Sequence, residues 1–280
     1  MASSVLAPGR RRLASLIVVA VLGAAFALPG AAVATTTTVS PDEITAAEAA
    51  MVKALNADRT ELGLVRVVVD SRLMAIARAR SADMVAKDYF SHTQPDGRNV
   101  FDILTAQHLT WYNAGEIIAW NNYPMSSTVA AADYQWMHSP GHKSIIISTG
   151  YNYIGVGLAI EPSTGKKLWT AVYMKGPDRT AARATAGTAS IRAGATADTR
   201  HAKLTWSGYD PRLQVLTAGL RNFTIQRRMD DGAFVTAVSS TTLTYTTFTV
   251  RVGHRYEFRI AARDRNGNRG SWSTKIIDLR

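Results

Sequence analysis

The sequence contains no cysteine, which excludes disulfide bonds and any chemistry based on a thiol nucleophile. Packing of apolar side chains must therefore hold the chain together, and 280 residues are enough for one or two domains with their own cores. Acidic residues are scarce in the last 80 residues, which carry 13 Lys and Arg against 6 Asp and Glu. The longest apolar run, Leu13 to Leu28, falls short of the roughly 20 residues that a membrane span needs.

This apolar run has the features of a secretory signal peptide. Arg10 to Arg12 form a basic segment before it, and Ala32-Val33-Ala34 offers small residues for a signal peptidase after it. The alternative is a single membrane anchor, but the cleavage pattern favours removal of residues 1–34. No cysteine follows the cleavage site, which argues against a lipoprotein. We therefore predict a secreted, extracellular protein that is not an integral membrane protein after cleavage.

Positive charge is unevenly distributed along the chain. The whole sequence has a net charge of +11, yet residues 35–176 carry 12 Lys and Arg against 13 Asp and Glu. The excess lies mainly in residues 201–280. Outside a cell, a basic region of this kind favours anionic wall polymers, membrane surfaces or glycans as partners, and nucleic acid is not expected. The alternative is a basic surface that only keeps the protein soluble.

The first part of the mature chain has the patterns of an α+β domain. Ser40, Pro41 and Glu43 form a helix start with a capping box. Three more helices are predicted: one after Asp70, with Leu73, Ala77 and Met84 on one face, one around residues 100–104 and one over about 126–136. Strands are predicted over 154–160 and 168–174, with a weaker candidate at 65–69.

The second part of the chain changes its pattern. Residues 177–200 contain mainly Ala, Thr, Arg and Gly, and we interpret them as a flexible linker because they cannot bury enough apolar surface. Residues 201–280 contain short segments that alternate with a period of two, separated by turn signals at Asp231-Gly232 and Asn266-Gly267. This pattern predicts an all-β sandwich.

Several motifs in residues 45–176 together resemble one family. They are Tyr89-Phe90-Ser91-His92, Pro95-Asp96-Gly97, Ala114-Gly115-Glu116, Trp136-Met137-His138-Ser139-Pro140-Gly141-His142 and Ile154-Gly155-Val156-Gly157. In this order they resemble the cysteine-free bacterial branch of the CAP superfamily (cysteine-rich secretory, antigen 5 and pathogenesis-related-1 proteins, or SCP domains). The resemblance implies an α-β-α sandwich, preceded by an N-terminal segment (35–44).

Residues 201–280 are similar to a fibronectin type III module. The resemblance rests on Trp206, on Tyr256-x-Phe258-Arg259, and on the run from Ala261 to Asn268 followed by Ser271-Trp272-Ser273. The first strand of such a module is not evident in the sequence. Either it lies within the linker (177–200) or it is missing. Modules of this type imply a spacer or a binding platform rather than an enzyme.

The CAP resemblance also implies a cleft with two histidines and acidic residues. His92 and His142 match the histidines and Glu116 matches the first acid. The position of the second acid is Ser139, and Ile117 replaces the family's Asn, so the set is incomplete. Family members that bind sterols and other lipids make a small apolar ligand one expectation for this cleft.

The same residues allow two kinds of chemistry. Two imidazoles and a carboxylate are donor types that bind a divalent metal such as zinc, and the cleft would offer them as His92, His142 and Glu116. The sequence does not require a cofactor. Ser139 with His142 and Glu116 would suggest a hydrolase triad, but we favour a turn-shaping role for Ser139, because no nucleophile-elbow pattern surrounds it. His138 lies four positions before His142, but Pro140 and Gly141 place a turn between them, so the two histidines are not expected to share a helix face. His108 has no partner by spacing.

We therefore predict an extracellular binding protein, more readily than an enzyme, whose ligand is a small apolar molecule, a glycan or a protein. The alternative is a metal-dependent hydrolase that uses the His92, Glu116 and His142 cleft. A third hypothesis makes the chain an adhesin that acts through its basic module.

Overall fold

The computed structural model describes residues 39–280, so the predicted signal peptide (1–34) lies outside the described range. The first helix begins as predicted. The Ser40 hydroxyl accepts a hydrogen bond from the Glu43 amide, and the Glu43 carboxylate accepts one from the Ser40 amide. Because this reciprocal cap depends only on neighbouring residues, the sequence alone is enough to place it.

The first part of the described chain alternates helices and strands. The elements are, in chain order, α1 (Pro41–Glu61), β1 (Val68–Val69), α2 (Ser71–Ala86), α3 (Val100–Ala106), β2 (Asn113–Asn121), α4 (Met125–Met137), α5 (Pro140–Ile146), β3 (Tyr153–Ile160) and β4 (Lys167–Lys175). The four strands form one sheet in the order β1-β3-β4-β2, which places β2 at an edge. The predicted strand at 65–69 is reduced to the two residues of β1, which pair with β3 in parallel.

Helices cover both faces of this sheet, as the predicted α-β-α sandwich requires. Alternate residues of β4 enter two different cores: Trp169 and Tyr173 pack with α1, α4 and α5, whereas Val172 packs with α2 and α3. Helix α2 lies directly on β3. A Cβ atom on Gly155 or Gly157 would come within 2.3 Å of the α2 backbone, so only glycine allows this close approach.

Strand β2 is absent from the sequence-based prediction, although it carries Glu116. Its residues Ala114 to Ala119 are all buried, so the segment has no alternation of polar and apolar residues for a strand pattern to detect.

The C-terminal part is an all-β sandwich, as predicted. Its strands are β5 (Arg183–Ala193), β6 (Thr199–Tyr209), β7 (Leu220–Met229), β8 (Val235–Thr241), β9 (Tyr245–Arg251), β10 (Arg255–Asp264) and β11 (Ser273–Asp278). One sheet has the order β5-β6-β9 and the other β11-β10-β7-β8. The Tyr256 hydroxyl accepts a hydrogen bond from the Arg251 amide, five residues earlier, in the arrangement called a tyrosine corner. The identification as a fibronectin type III module stays a prediction.

The predicted linker (177–200) is wrong for residues 183–193, because they form β5 and pair with β6. Its inward residues are alanines, among them Ala184, Ala186 and Ala189, which pack on the core of the sandwich. Alanine adds so little apolar surface that this strand has the composition of an unstructured segment.

The two parts of the chain are docked rather than flexibly joined. The connection between β6 and β7 reaches the first domain, where Leu213 is 2% exposed and packs in the same apolar cluster as Leu73 and Leu104. Beside it, the Gln214 side chain accepts a hydrogen bond of 2.7 Å from the Val65 amide. The sandwich therefore completes part of the first domain's core. No helix within residues 39–280 is long and apolar enough to cross a membrane.

Candidate functional site

Glu116 lies on the edge strand β2, on the face of the sheet that packs against α2. Its carboxylate is buried, and Arg80 of α2 lies directly opposite. Arg80 Nε donates to Glu116 Oε1 at 2.8 Å, and an Nη group of Arg80 donates to Oε2 at 3.4 Å. Neither side chain is more than 3% exposed. A buried charge of each sign is thus held in one fork-shaped pair.

The other donors of Arg80 organise the loop that follows α2. Its guanidinium donates to the carbonyl oxygens of Ser91 and His92 and to the Tyr89 hydroxyl, the last at 2.6 Å. Burial by itself would lower the pKa of Arg80, but the hydrogen bond and charge of Glu116 outweigh it and raise that pKa. The guanidinium therefore stays charged and fixes the position of His92.

A second carboxylate supports this arrangement from behind. The Tyr89 hydroxyl donates to Asp83, which also accepts from Gln94 and pairs with Lys87. Burial opposes ionisation of Asp83, but these hydrogen bonds prevail and lower its pKa to about 2. Burial and the hydrogen bond to Asp83 raise the pKa of Tyr89 to about 12. Tyr89 therefore remains a neutral donor that links Asp83 to Arg80.

His92 connects this buried network to solvent. Its Nδ1 lies 2.8 Å from Glu116 Oε2, while its side chain is 55% exposed. Because a carboxylate can only accept, Nδ1 carries a proton in this contact. In the neutral imidazole, Nε2 is then left as a hydrogen-bond acceptor for another molecule.

His142 lies near this pair but on a different element. The segment that was predicted to be a turn is helical from Pro140 onwards, so His142 belongs to α5. Proline suits the first position of a helix, which explains how the helix starts there. Burial, and secondarily the charge of His92, lower the pKa of His142. This lowered pKa keeps the His142 imidazole neutral at neutral pH.

A pocket of about 240 Å³ opens at the edge of the sheet beside His92 and Glu116. Its walls come from α3 and α5 as well as from β2. They are mainly apolar, with Val100, Phe101, Ala114, Ile145 and Tyr151 among the lining residues. The polar groups His92 and Glu116 thus lie at one side of an otherwise apolar cavity.

Of the three predicted metal ligands, Glu116 does not fit a metal in this arrangement. Both oxygens of Glu116 are engaged by Arg80 and His92, and a cation at Glu116 would face the buried guanidinium. Across residues 39–280, only one group of three or more such side chains has ligand atoms within 4.8 Å of one another, and it is a different one: Asp178, Asp210 and Asp264.

The other histidine and serine candidates are not assembled into a site. Ser139 is the N-cap residue of α5, as a role in shaping this segment requires, but its side chain makes no capping hydrogen bond. In the described part of the chain, Ser139 has no hydrogen bond to His142 or Glu116 either. His138 stacks on the Tyr134 ring at 3.7 Å, and exposed His108 adopts a positive φ after α3.

Arg80 is the functional residue that the motifs missed. It lies three positions after Ala77 and four before Met84, in the stripe of α2 that also contains Leu73 and faces the sheet. A charged residue in such a stripe needs a buried partner of opposite charge. That rule could have identified Arg80 from the sequence as a candidate partner for an acid.

Comparisons with known proteins agree with this architecture. The family model described as "Cysteine-rich secretory protein family" (CAP) matches residues 52–173. This chain carries a CAP domain.

A protein of Bacillus subtilis, YkwD, is 34% identical over 139 residues, which are 50% of this chain and 51% of that protein. A second Bacillus subtilis protein, the membrane protein YlbC, is 29% identical over 131 residues, 47% of this chain and 35% of YlbC. The chain thus matches about half or less of these relatives.

Solved structures similar to the CAP domain come from other bacteria. An extracellular protein of Bacillus anthracis that contains an SCP domain is 25% identical, with a TM-score of 0.43, over 49% of this chain and 44% of that one. An outer surface protein of Borrelia burgdorferi is 18% identical, with a TM-score of 0.42, over 47% of this chain and 93% of that one.

Proposed function

We propose that this chain is an exported binding protein whose CAP domain takes one end of a small apolar ligand into the pocket beside His92. The basic sandwich would hold the CAP domain at an anionic surface outside the cell. The observation that carries the proposal is the row of hydrogen bonds from Arg80 through Glu116 to His92, which ends at an apolar cavity.

This row favours binding because it fixes the His92 imidazole at the pocket. Glu116 orients His92 through Nδ1 and leaves Nε2 for a ligand hydroxyl or N–H group. The remaining walls, such as Val100 and Ile145, offer apolar contact. Pockets that enclose a drug-sized molecule measure about 300–1,000 Å³. A cavity of about 240 Å³ therefore suits the end of a ligand whose remainder lies on the surface.

The metal-dependent hydrolase has less support. A hydrolytic metal needs a carboxylate or imidazole set with an open position. Glu116 is already neutralised by Arg80. The separate serine triad has no support either, because Ser139 makes no hydrogen bond that would activate it as a nucleophile.

Export is supported by the sequence pattern of residues 1–34. A location at the wall is supported by the charge of residues 201–280, where Lys and Arg outnumber Asp and Glu by 13 to 6. Contact with an anionic polymer there would add to the affinity of the pocket for a ligand in the same layer.

The pocket is tested by NMR titration of residues 35–280 with 1-decanol, whose hydroxyl can donate to His92 Nε2, as the apolar probe and a disaccharide of N-acetylglucosamine as the glycan probe. We expect decanol to shift the signals of Val100, Ile145 and Tyr151, and Phe101→Ala to weaken this binding severalfold. The matched control Tyr123→Ala removes an aromatic ring that is 55% exposed and should leave binding unchanged. Shifts that avoid the pocket, or that survive Phe101→Ala in full, would contradict the proposal.

A further inference from the structure

A row of alternating guanidinium groups and aromatic rings runs across the C-terminal sandwich. The Arg228 guanidinium carbon lies 4.8 Å from the centre of the Phe234 ring, and that of Arg259 lies 3.8 Å from the same ring. Arg259 and Arg269 each lie 4.6 Å from the centre of the Trp272 ring. We call these five residues, Arg228, Phe234, Arg259, Trp272 and Arg269, the arginine ladder.

The ladder lies on the outer face of the four-stranded sheet and is not part of the core. Arg259 belongs to β10, whose neighbouring residues Phe258 and Ile260 point to the opposite face and are fully buried. Arg228 belongs to β7 and lies opposite Glu257 of the neighbouring strand β10. Strand alternation therefore turns Arg228 and Arg259 outward. Arg269 lies in the connection between β10 and β11.

Only one of the three ladder arginines is neutralised. Arg228 donates twice to the Glu257 carboxylate, whereas Arg259 donates to the neutral amide oxygen of Gln226. Within residues 39–280, neither Arg259 nor Arg269 forms an ion pair with a carboxylate. The aromatic rings thus hold two uncompensated cations close together, where an anion would relieve their mutual repulsion.

We propose that the arginine ladder is a binding site for an anionic polysaccharide. Guanidinium groups donate paired hydrogen bonds to carboxylate, sulfate or phosphate groups, and stacking on rings holds their planes in place before binding. A polymer supplies such groups at repeated intervals along a row. Each ring already has two guanidinium groups within 4.8 Å of its centre, which favours an anionic sugar over a neutral one.

This inference names the partner of the anchoring role proposed above. It can fail independently of the CAP pocket, because its test changes only residues of the sandwich. The probes are dextran sulfate, polygalacturonate and neutral dextran, with phosphatidylglycerol vesicles as a non-saccharide anion. Binding of residues 35–280 is measured by titration at several salt concentrations.

We expect dextran sulfate or polygalacturonate to bind with an affinity that falls as salt rises, and neutral dextran not to bind. Arg259→Gln with Arg269→Gln should weaken binding about tenfold. The matched control is Arg192→Gln with Arg251→Gln, which removes the same charge from exposed positions on the other sheet. The control should change the affinity less than about twofold.

Two further variants separate the ladder from general charge. Arg259→Lys with Arg269→Lys keeps the charge but loses the planar fork, and should bind severalfold more weakly. Trp272→Leu keeps both arginines without the ring between them, and should also bind more weakly. Thermal unfolding of each variant verifies that it is folded. Equal losses in the ladder and control variants, unchanged binding by the lysine variant, or tighter binding to the vesicles than to either polysaccharide would overturn the proposal.

Discussion

Arg80 and Glu116 form an ion pair of 2.8 Å that is closed off from solvent between helix α2 and the edge strand of the CAP sheet. Removing two charges from water costs several kcal/mol, which the pair recovers only through its hydrogen bonds. Arg80 supplies these bonds to Glu116 and also to the backbone of the loop that carries His92. The pair therefore links the stability of the domain to the geometry of the pocket.

The first prediction concerns this pair. Arg80→Met leaves the Glu116 carboxylate buried without a partner and should lower the free energy of unfolding by about 3–5 kcal/mol. Urea unfolding measures the change. The matched control is Arg98→Met, which breaks a pair with Asp96 in which both side chains are more than 40% exposed, and should cost at most about 1 kcal/mol. Equal effects of the two substitutions would show that the buried pair has no special role.

The second prediction concerns a pair of carboxyl groups between α1 and α4. Asp58 Oδ2 and Asp133 Oδ1 are buried without another hydrogen-bond partner among the described residues. Burial, then the charge of Asp58 and a hydrogen bond to it, raise the pKa of Asp133 to about 7. The folded protein thus keeps a proton that the unfolded chain loses near pH 4.

Because the folded state binds more protons between pH 4 and 7, this pair stabilises the protein below pH 4 and loses its contribution as the pH rises through 7. Asp133→Asn should flatten the decline of unfolding free energy over that interval. Asp42→Asn, at an exposed position in the first turn of α1, should leave the decline in place. Chemical unfolding at a series of pH values tests this, and an unchanged slope in Asp133→Asn would contradict it.

The third prediction concerns the docking of the sandwich on the CAP domain. Leu213→Ala creates a cavity in a CAP core cluster and should lower the free energy of unfolding by about 2–5 kcal/mol. Leu243→Ala, at a position 58% exposed, should change it by less than about 0.5 kcal/mol. A flexible connection between the domains would instead make both substitutions neutral.

The parts of the fold that depend on neighbouring residues could be predicted from the sequence. The cap of α1 by Ser40 and the helices with a clear apolar stripe are of this kind. Strand β2 could not be predicted, since both of its faces are buried and its pattern therefore lacks a period. Strand β5 has alanines where larger residues would mark a core, so its composition resembled that of a linker.

The site shows the same division. The motifs selected His92 and Glu116, and the structure joins them by a hydrogen bond. They could not show that Arg80 neutralises Glu116, because that contact joins residues 36 positions apart and depends on how α2 packs against β2. The metal hypothesis rested on residue types and on the family resemblance, and neither indicates whether a donor is already occupied.

Zinc calorimetry on residues 35–280 tests the central claim most directly. The claim is that Glu116 is paired with Arg80 and therefore does not bind a metal. The site beside His92 then receives a small organic ligand. We predict no stoichiometric zinc binding at micromolar affinity that depends on His92 and His142, and therefore equal titrations for the native chain and its His92→Ala/His142→Ala variant. Micromolar or tighter binding that disappears in the variant would contradict the account and favour the hydrolase.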